Sequence, residues 1–356
     1  MLIWFILGLV FLVLGAELLV QGASRIASAA GISPLIIGLT VVAFGTSAPE
    51  LAVSVGSAWA GQADVAVGNV VGSNIFNVLL ILGLSATITP LAVATRLVRN
   101  EVPLMIGLSA ATLALAWDGS ISRLDGTVFV LGLVGYSVWT ALASRRYRAA
   151  RTGDDAPDPT PSRRSSWIRD PLLVVAGLTL LVLGANWLVE AAVSFARALG
   201  VSEAVVGLTI VSAGTSLPEL ATSVLAAFRG QRDIAVGNVV GSNLFNILGV
   251  LGVAGLAAPN GLPVAEPLLA FDLPVMLATA VACLPIFATG HRIDRFEGLL
   301  FLGYYIAYTV YLLLAATEHE FLAGYSWVMA TFVVPLTAVT LGVLAVRSWR
   351  RHKASR

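Results

Sequence analysis

Eleven apolar stretches, most of about 20 residues or longer, run through this chain and leave it almost no choice of fold. They cover residues 1–21, 34–60, 66–89, 101–117, 124–144, 171–199, 203–228, 234–258, 267–288, 296–316 and 326–346. About 20 residues of helix cross the ~30 Å hydrocarbon core of a bilayer. Within that core every backbone N–H and C=O must be bonded internally, so stretches of this kind form helices. Only 12% of the 356 residues are charged and 58% are apolar, whereas soluble domains carry about 25% charge. The reading is an all-α polytopic membrane protein whose partner is the lipid bilayer, with no nucleic-acid partner expected.

His291, His319 and His352 fall in predicted loops or the tail, and the single cysteine, Cys283, lies inside a span. An intramembrane zinc or haem site therefore lacks its usual ligands, and no intrachain disulfide is available. The first stretch has no basic leading segment and exceeds the roughly 7–15 apolar residues of a signal peptide, so it is expected to remain as a helix.

Between the fifth and sixth stretches, residues 145–170 mix Pro157, Pro159 and Pro161 with serine, arginine and aspartate, the composition of a solvated tether. Placing that tether in the cytoplasm puts about 19 of the 21 basic residues on the cytoplasmic side, leaving out Arg123 and Arg197. The expected product is a multi-pass protein of the cell membrane with an external N-terminus and a cytoplasmic C-terminus. Its expected divisions are a first repeat of five helices (1–144), the linker (145–170), a second repeat of five (171–316), and an eleventh helix with a basic tail (317–356).

An offset of 169 residues superimposes 38–90 on 207–259 without a gap, and about 32 of the 53 pairs are identical. The first copy reads GLTVVAFGTSAPELAVSV and GQADVAVGNVVGSNIFNVL; the second reads GLTIVSAGTSLPELATSV and GQRDIAVGNVVGSNLFNIL. An odd number of spans separates equivalent helices, so the copies enter the membrane from opposite sides. In transporters built on such inverted repeats, helices broken by Gly or Pro mark the substrate site near the bilayer midplane.

The breaks are visible. Pro49 and Pro218 lack an N–H, so the carbonyls of Gly45 and Gly214 lose their intrahelical donors, and glycine lets the backbone unwind there. A cation can satisfy such carbonyls, with side-chain oxygens added by Thr46, Ser47 and Glu50 in one copy and Thr215, Ser216 and Glu219 in the other. A carboxylate at membrane depth costs about 2.5–3.5 kcal/mol, and its occurrence at two equivalent positions points to function. Ser73 with Asn77, and Ser242 with Asn246, lie one turn apart on the following helices. Asn69, Asn74, Asn238 and Asn243 share those helices and read as hydrogen bonds between helices, with Gly68 and Gly72 as tight packing. All these donors are hard oxygens, which favours Ca²⁺ and Na⁺ over soft metals.

The two GTS-x-PE stretches and the GN-x-x-GSN-x-FN stretches resemble the alpha repeats of the sodium/calcium exchanger family, of the calcium:cation antiporter superfamily, in its prokaryotic type. That resemblance implies Na⁺/Ca²⁺ antiport by alternating access, with the first and sixth helices sliding over a rigid bundle. It implies as metal ligands Glu50, Thr46, Ser47, Ser73, Asn77 and the Ala43 carbonyl, together with Glu219, Thr215, Ser216, Ser242, Asn246 and the Ser212 carbonyl. Some relatives have Asp where Asn246 stands, so this site holds two strong acids where those have three. No resident cofactor is expected.

Protons are the alternative coupling ion, because protonating Glu50 and Glu219 would discharge the site as Na⁺ competition does. A cation channel is a reading from another class, against which the inverted broken helices count. An intramembrane hydrolase using Ser47 or Ser216 beside a glutamate lacks a histidine. Glu17 and Glu190, one turn apart after the shift, read as structural. Glu101, Asp272 and Glu297 are expected at span ends, solvated or snorkelling.

Overall fold

Helices occupy nearly all of the described apolar sequence in the computed structural model, which describes residues 2–30, 32–150, 168–198, 212–338 and 342. In chain order they are α1 (Leu2–Ala30), α2 (Pro34–Thr46), α3 (Ala48–Trp59), α4 (Ala63–Ile88), α5 (Leu97–Asp118), α6 (Arg123–Ala150), α7 (Arg169–Ala198), α8 (Leu217–Phe228), α9 (Arg232–Ala257), α10 (Leu268–Ala288), α11 (Arg295–Ala316) and α12 (Leu322–Ala338). Among the described residues, eight of these are long and apolar enough to cross a membrane alone, and α2 with α3 forms a ninth, bent by 45°. The start of the seventh predicted span, 203–211, lies outside the described residues, and a short turn at Ser212–Gly214 leads into α8.

The repeat carries through into three dimensions. α8 and α9 begin and end 169 residues after α3 and α4. Both long members also pass through a π-helical segment at the same place, Asn77–Leu82 and Asn246–Leu251. Two short antiparallel ribbons tie the halves together reciprocally. β1 (Leu91–Ala92) pairs with β4 (Arg292–Ile293), and β2 (Ser120–Ile121) pairs with β3 (Leu262–Pro263).

Small residues set the tightest helix contact. α1 and α7 run antiparallel, and a Cβ built on Gly15 would stand 2.8 Å from the Gly177 carbonyl oxygen, while one on Gly8 would stand 2.9 Å from that of Gly184. Lipid tails provide no hydrophobic drive between helices, so this close backbone approach supplies the contact. Gly83 packs against Gly298 and Gly252 against Gly126 in the same way, which fastens α4 to α11 and α9 to α6. On α9, Gly237 and Gly241 back onto Leu35 and Leu39 of α2. Among the described residues, a Cβ on their counterpart Gly68 would meet only Leu268 Cδ2, at 4.0 Å, and one on Gly72 would meet nothing within 4 Å.

Several boundaries depart from expectation. α6 runs to Ala150, six residues into the predicted tether, and 151–167 lie outside the described residues. The eleventh stretch is described as α12, Leu322–Ala338, and beyond it only at Gly342. Its docking is specific, because Tyr304 donates its hydroxyl to Thr337 at 2.6 Å and Tyr325 donates to the Ala307 carbonyl at 2.8 Å.

Of the three carboxylates expected to be solvated at span ends, Glu101 and Asp272 are buried instead, while Glu297 stays half-buried at the start of α11. Glu101 is fully buried and paired with Arg96 at 2.8 Å, whose guanidinium also covers Trp139 at 5.2 Å. Asp272 is buried and accepts the Tyr308 hydroxyl at 2.6 Å. Glu297 receives the Asp294 N–H at 2.8 Å in a capping box at the start of α11. Folding thus brings the buried Glu101 and Asp272 one donor each in place of water.

Candidate cation-binding site

Proline fixes where each broken helix restarts. Ser47, between α2 and α3, has φ −82° and ψ 8°, and Ser216 ahead of α8 has φ −89° and ψ 7°. Pro49 and Pro218 occupy the first turns that follow, where a missing N–H costs nothing. The Ser47 N–H returns to the Ala43 carbonyl at 3.0 Å, and the Leu51 and Leu220 N–H groups reach the Ser47 and Ser216 carbonyls at 3.1 and 3.0 Å. The Ala43 carbonyl thus keeps one lone pair free of backbone bonding. Glu50 and Glu219 sit in the first turns of α3 and α8, where the helix dipole favours negative charge.

The sequence suggested that Thr46, Ser47 and Glu50 act together within one copy. The structure pairs them across copies instead. Ser47 donates its hydroxyl to Glu219 Oε1 at 2.9 Å, and Ser216 donates to Glu50 Oε1 at 3.0 Å. Thr46 reaches Asn238 Oδ1 and Thr215 reaches Asn69 Oδ1, both at 3.1 Å. Asn69 and Asn238 are held in turn by Ser54 and Ser223, each at 2.9 Å. Farther along α4 and α9, Asn77 Nδ2 donates to Asn243 Oδ1 at 3.0 Å and Asn246 Nδ2 to Asn74 Oδ1 at 3.2 Å. Ser73 lies 3.0 Å from the Ser216 hydroxyl. Every one of these contacts except Ser216 to Ser73 has its twin in the other half.

Apart from Thr215, which is half-buried, and Ser212, of which only the backbone is described, the predicted ligands are buried. Among these ligands, Glu50 Oε2, Glu219 Oε2, Asn77 Oδ1, Asn246 Oδ1 and Ser242 Oγ have no hydrogen-bond partner in the described residues. With both glutamates ionised, four of the five atoms can only accept, which leaves the Ser242 hydroxyl as the sole donor among them. Buried polar atoms are costly without a partner, and a hard cation bound by oxygen would serve them all at once.

Sequence reasoning placed Asn69, Asn74, Asn238 and Asn243 between helices, where they are found, and missed Ser54, Ser223, Met105 and Met276. The serines recur at the 169-residue offset and were legible. The methionines sit behind Asn243 and Asn74, with sulfur to amide distances of 3.5 and 3.6 Å. They match only after the ungapped repeat has ended, so the offset does not reveal them. Glu17 accepts Gln21 at 2.6 Å and Arg229 at 2.9 Å, joining α1 to the residue after α8, while Glu190 on α7 is exposed.

The family model described as sodium/calcium exchanger protein matches residues 1–142 and 170–314. The chain is 40% identical over 320 residues to the putative antiporter CaxA of Alkalimonas amylolytica, covering 86% of this chain and 96% of that protein. It is 35% identical over 340 residues to the sodium/calcium exchanger MaX1 of Methanosarcina acetivorans, covering 86% and 97%. A solved structure of the sodium-calcium exchanger NCX_Mj, soaked with Na⁺ and Ca²⁺, superposes with a TM-score of 0.72 at 32% identity, covering 85% of this chain and 95% of the other.

Proposed function

Because the chain belongs to the sodium/calcium exchanger family, we propose that it exchanges Na⁺ for Ca²⁺ across the cell membrane by alternating access. The ions occupy one site between α2, α3, α4, α8 and α9, and their occupancy is mutually exclusive. The observation that carries this reading is the set of buried acceptor oxygens without donors, supplied by both halves in matching positions.

In this reading Glu50 and Glu219 balance the charge of one Ca²⁺. Asn77, Asn246, Ser73, Ser242, Thr46, Ser47, Thr215, Ser216 and the Ala43 and Ser212 carbonyls complete shells of oxygen, of which Ca²⁺ takes about 6–8. Ser47 and Ser216 hold one oxygen of each carboxylate and leave the other to the ion. The stiff glycine contact between α1 and α7 suits a pair of helices that slides as one body over the rest. The N-terminus lies outside and the tail after α12 lies in the cytoplasm. The divisions are 1–144, 145–170, 171–316 and 317–356.

Purified protein in liposomes loaded with Ca²⁺ decides the coupling ion. Inward Na⁺, H⁺ and K⁺ gradients are imposed separately, and Ca²⁺ efflux is followed. Efflux driven by Na⁺ at fixed pH is the expected result, and efflux driven by H⁺ alone would assign the alternative coupling.

A further inference from the structure

Asn77 and Asn246 are useful to a cation only if each amide presents oxygen rather than NH₂. The two ends have nearly the same shape, so packing alone does not choose between them. Each ligand amide is anchored by its nitrogen, Asn77 Nδ2 on Asn243 Oδ1 at 3.0 Å and Asn246 Nδ2 on Asn74 Oδ1 at 3.2 Å. That anchor is only as definite as the orientation of Asn243 and Asn74 themselves.

Their orientation is fixed from behind. Asn243 Nδ2 faces the Asn74 carbonyl at 3.4 Å and Met105 Sδ at 3.5 Å. Asn74 Nδ2 faces the Asn243 carbonyl at 3.5 Å and Met276 Sδ at 3.6 Å. A backbone carbonyl and a thioether accept hydrogen bonds and never donate. Turning Asn243 over would set its oxygen against two acceptors and its NH₂ against that of Asn77, losing every bond in the chain. All four asparagines are buried, so water cannot repair the loss.

We infer that Asn74 and Asn243 are positioning residues that set the polarity of the ion site, forcing Asn246 and Asn77 to offer oxygen to the cation. The order runs from the acceptor-only termini through Asn243 to Asn77, and from their twins through Asn74 to Asn246. Both chains cross between α4 and α9, so each half of the protein orients the ligand of the other. The π-helical segments begin at the two ligands, where widened turns commonly mark functional sites. This inference rests on the exchange reading above.

A double-mutant cycle tests it. Equilibrium binding of radioactive Ca²⁺ is measured for the full-length wild type, N243L, N77A and N243L/N77A, with Na⁺-driven exchange in liposomes alongside. Freed from its anchor, Asn77 would turn its NH₂ toward the ion, and N243L is expected to weaken Ca²⁺ binding about 10- to 100-fold. In the N77A background the same change should cost almost nothing, whereas with N246A it should add in full. N74L should show the mirror pattern, coupled to N246A and additive with N77A. Asn243→Ala replaces N243L if the leucine variant fails to elute as a single species. Equal loss from N243L with and without Asn77 would overturn the inference, as would wild-type affinity in N243L. A wild type that neither binds nor exchanges Ca²⁺ would instead overturn the exchange reading.

Discussion

Replacing Glu50 by glutamine removes one of the two charges that face the ion and changes little else. Ser216 donates to Glu50 Oε1, and a glutamine oxygen in that place can go on accepting it. Its NH₂ then takes the position of Oε2, the atom left without a partner, and points a donor at the cation. The charge loss can be sized. A pair of unit charges 4 Å apart at an effective dielectric of ~20 attracts by about 4 kcal/mol, so a divalent ion loses about 8 and a monovalent ion about 4. Taking half of each, to allow for the retained oxygen and for relaxation, leaves about 4 kcal/mol for Ca²⁺ and about 2 kcal/mol for Na⁺. At 1.4 kcal/mol per decade, Ca²⁺ affinity should fall about a thousandfold and Na⁺ affinity about thirtyfold. Folding should survive, because neutralising a buried carboxylate removes its desolvation cost. The assay is calorimetric titration of each ion into purified protein, with Na⁺-driven Ca²⁺ flux in liposomes and the melting temperature as a control. Glu219→Gln should behave alike by symmetry. Near wild-type exchange by a well-folded E50Q, or a larger loss for Na⁺ than for Ca²⁺, would refute the assignment of charge.

Three further outcomes are expected. In a background with Cys283 replaced by serine, cysteines at positions 162 and 355 should be labelled only from the cytoplasmic side, and external labelling of position 355 alone would mean that the eleventh stretch does not cross. With Asn246 an amide, the site carries two acids, so exchange should run without K⁺ and respond to a clamped membrane potential when more than two Na⁺ replace one Ca²⁺; a strict K⁺ requirement would contradict it. Gly15→Leu should separate α1 from α7 and cost about 1–3 kcal/mol, lowering the melting temperature of purified protein. Gly107→Ala, with no atom near its added Cβ, should leave it unchanged or slightly raised, and equal effects would disprove the close contact.

Much of this protein was set by its sequence alone. The lengths of the apolar stretches require helices, because backbone groups in hydrocarbon must bond within their own segment. The 169-residue offset and the odd span count predict inverted repeats, and the motif places two carboxylates just after Gly-Thr-Ser breaks. These are properties of spacing, which a chain carries before it folds. Tertiary structure decided which groups meet. Ser47 looks from the sequence like a partner of Glu50, but the halves interleave, and it bonds Glu219 while Ser216 bonds Glu50. Glu101 and Asp272 looked solvated at span ends, and packing buried them against Arg96 and Tyr308. The acceptor-only backing of Asn74 and Asn243 by Met276 and Met105 depends on residues from four different helices. No spacing within one strand of sequence encodes that, because a hydrogen bond's direction is fixed by what stands behind it in space.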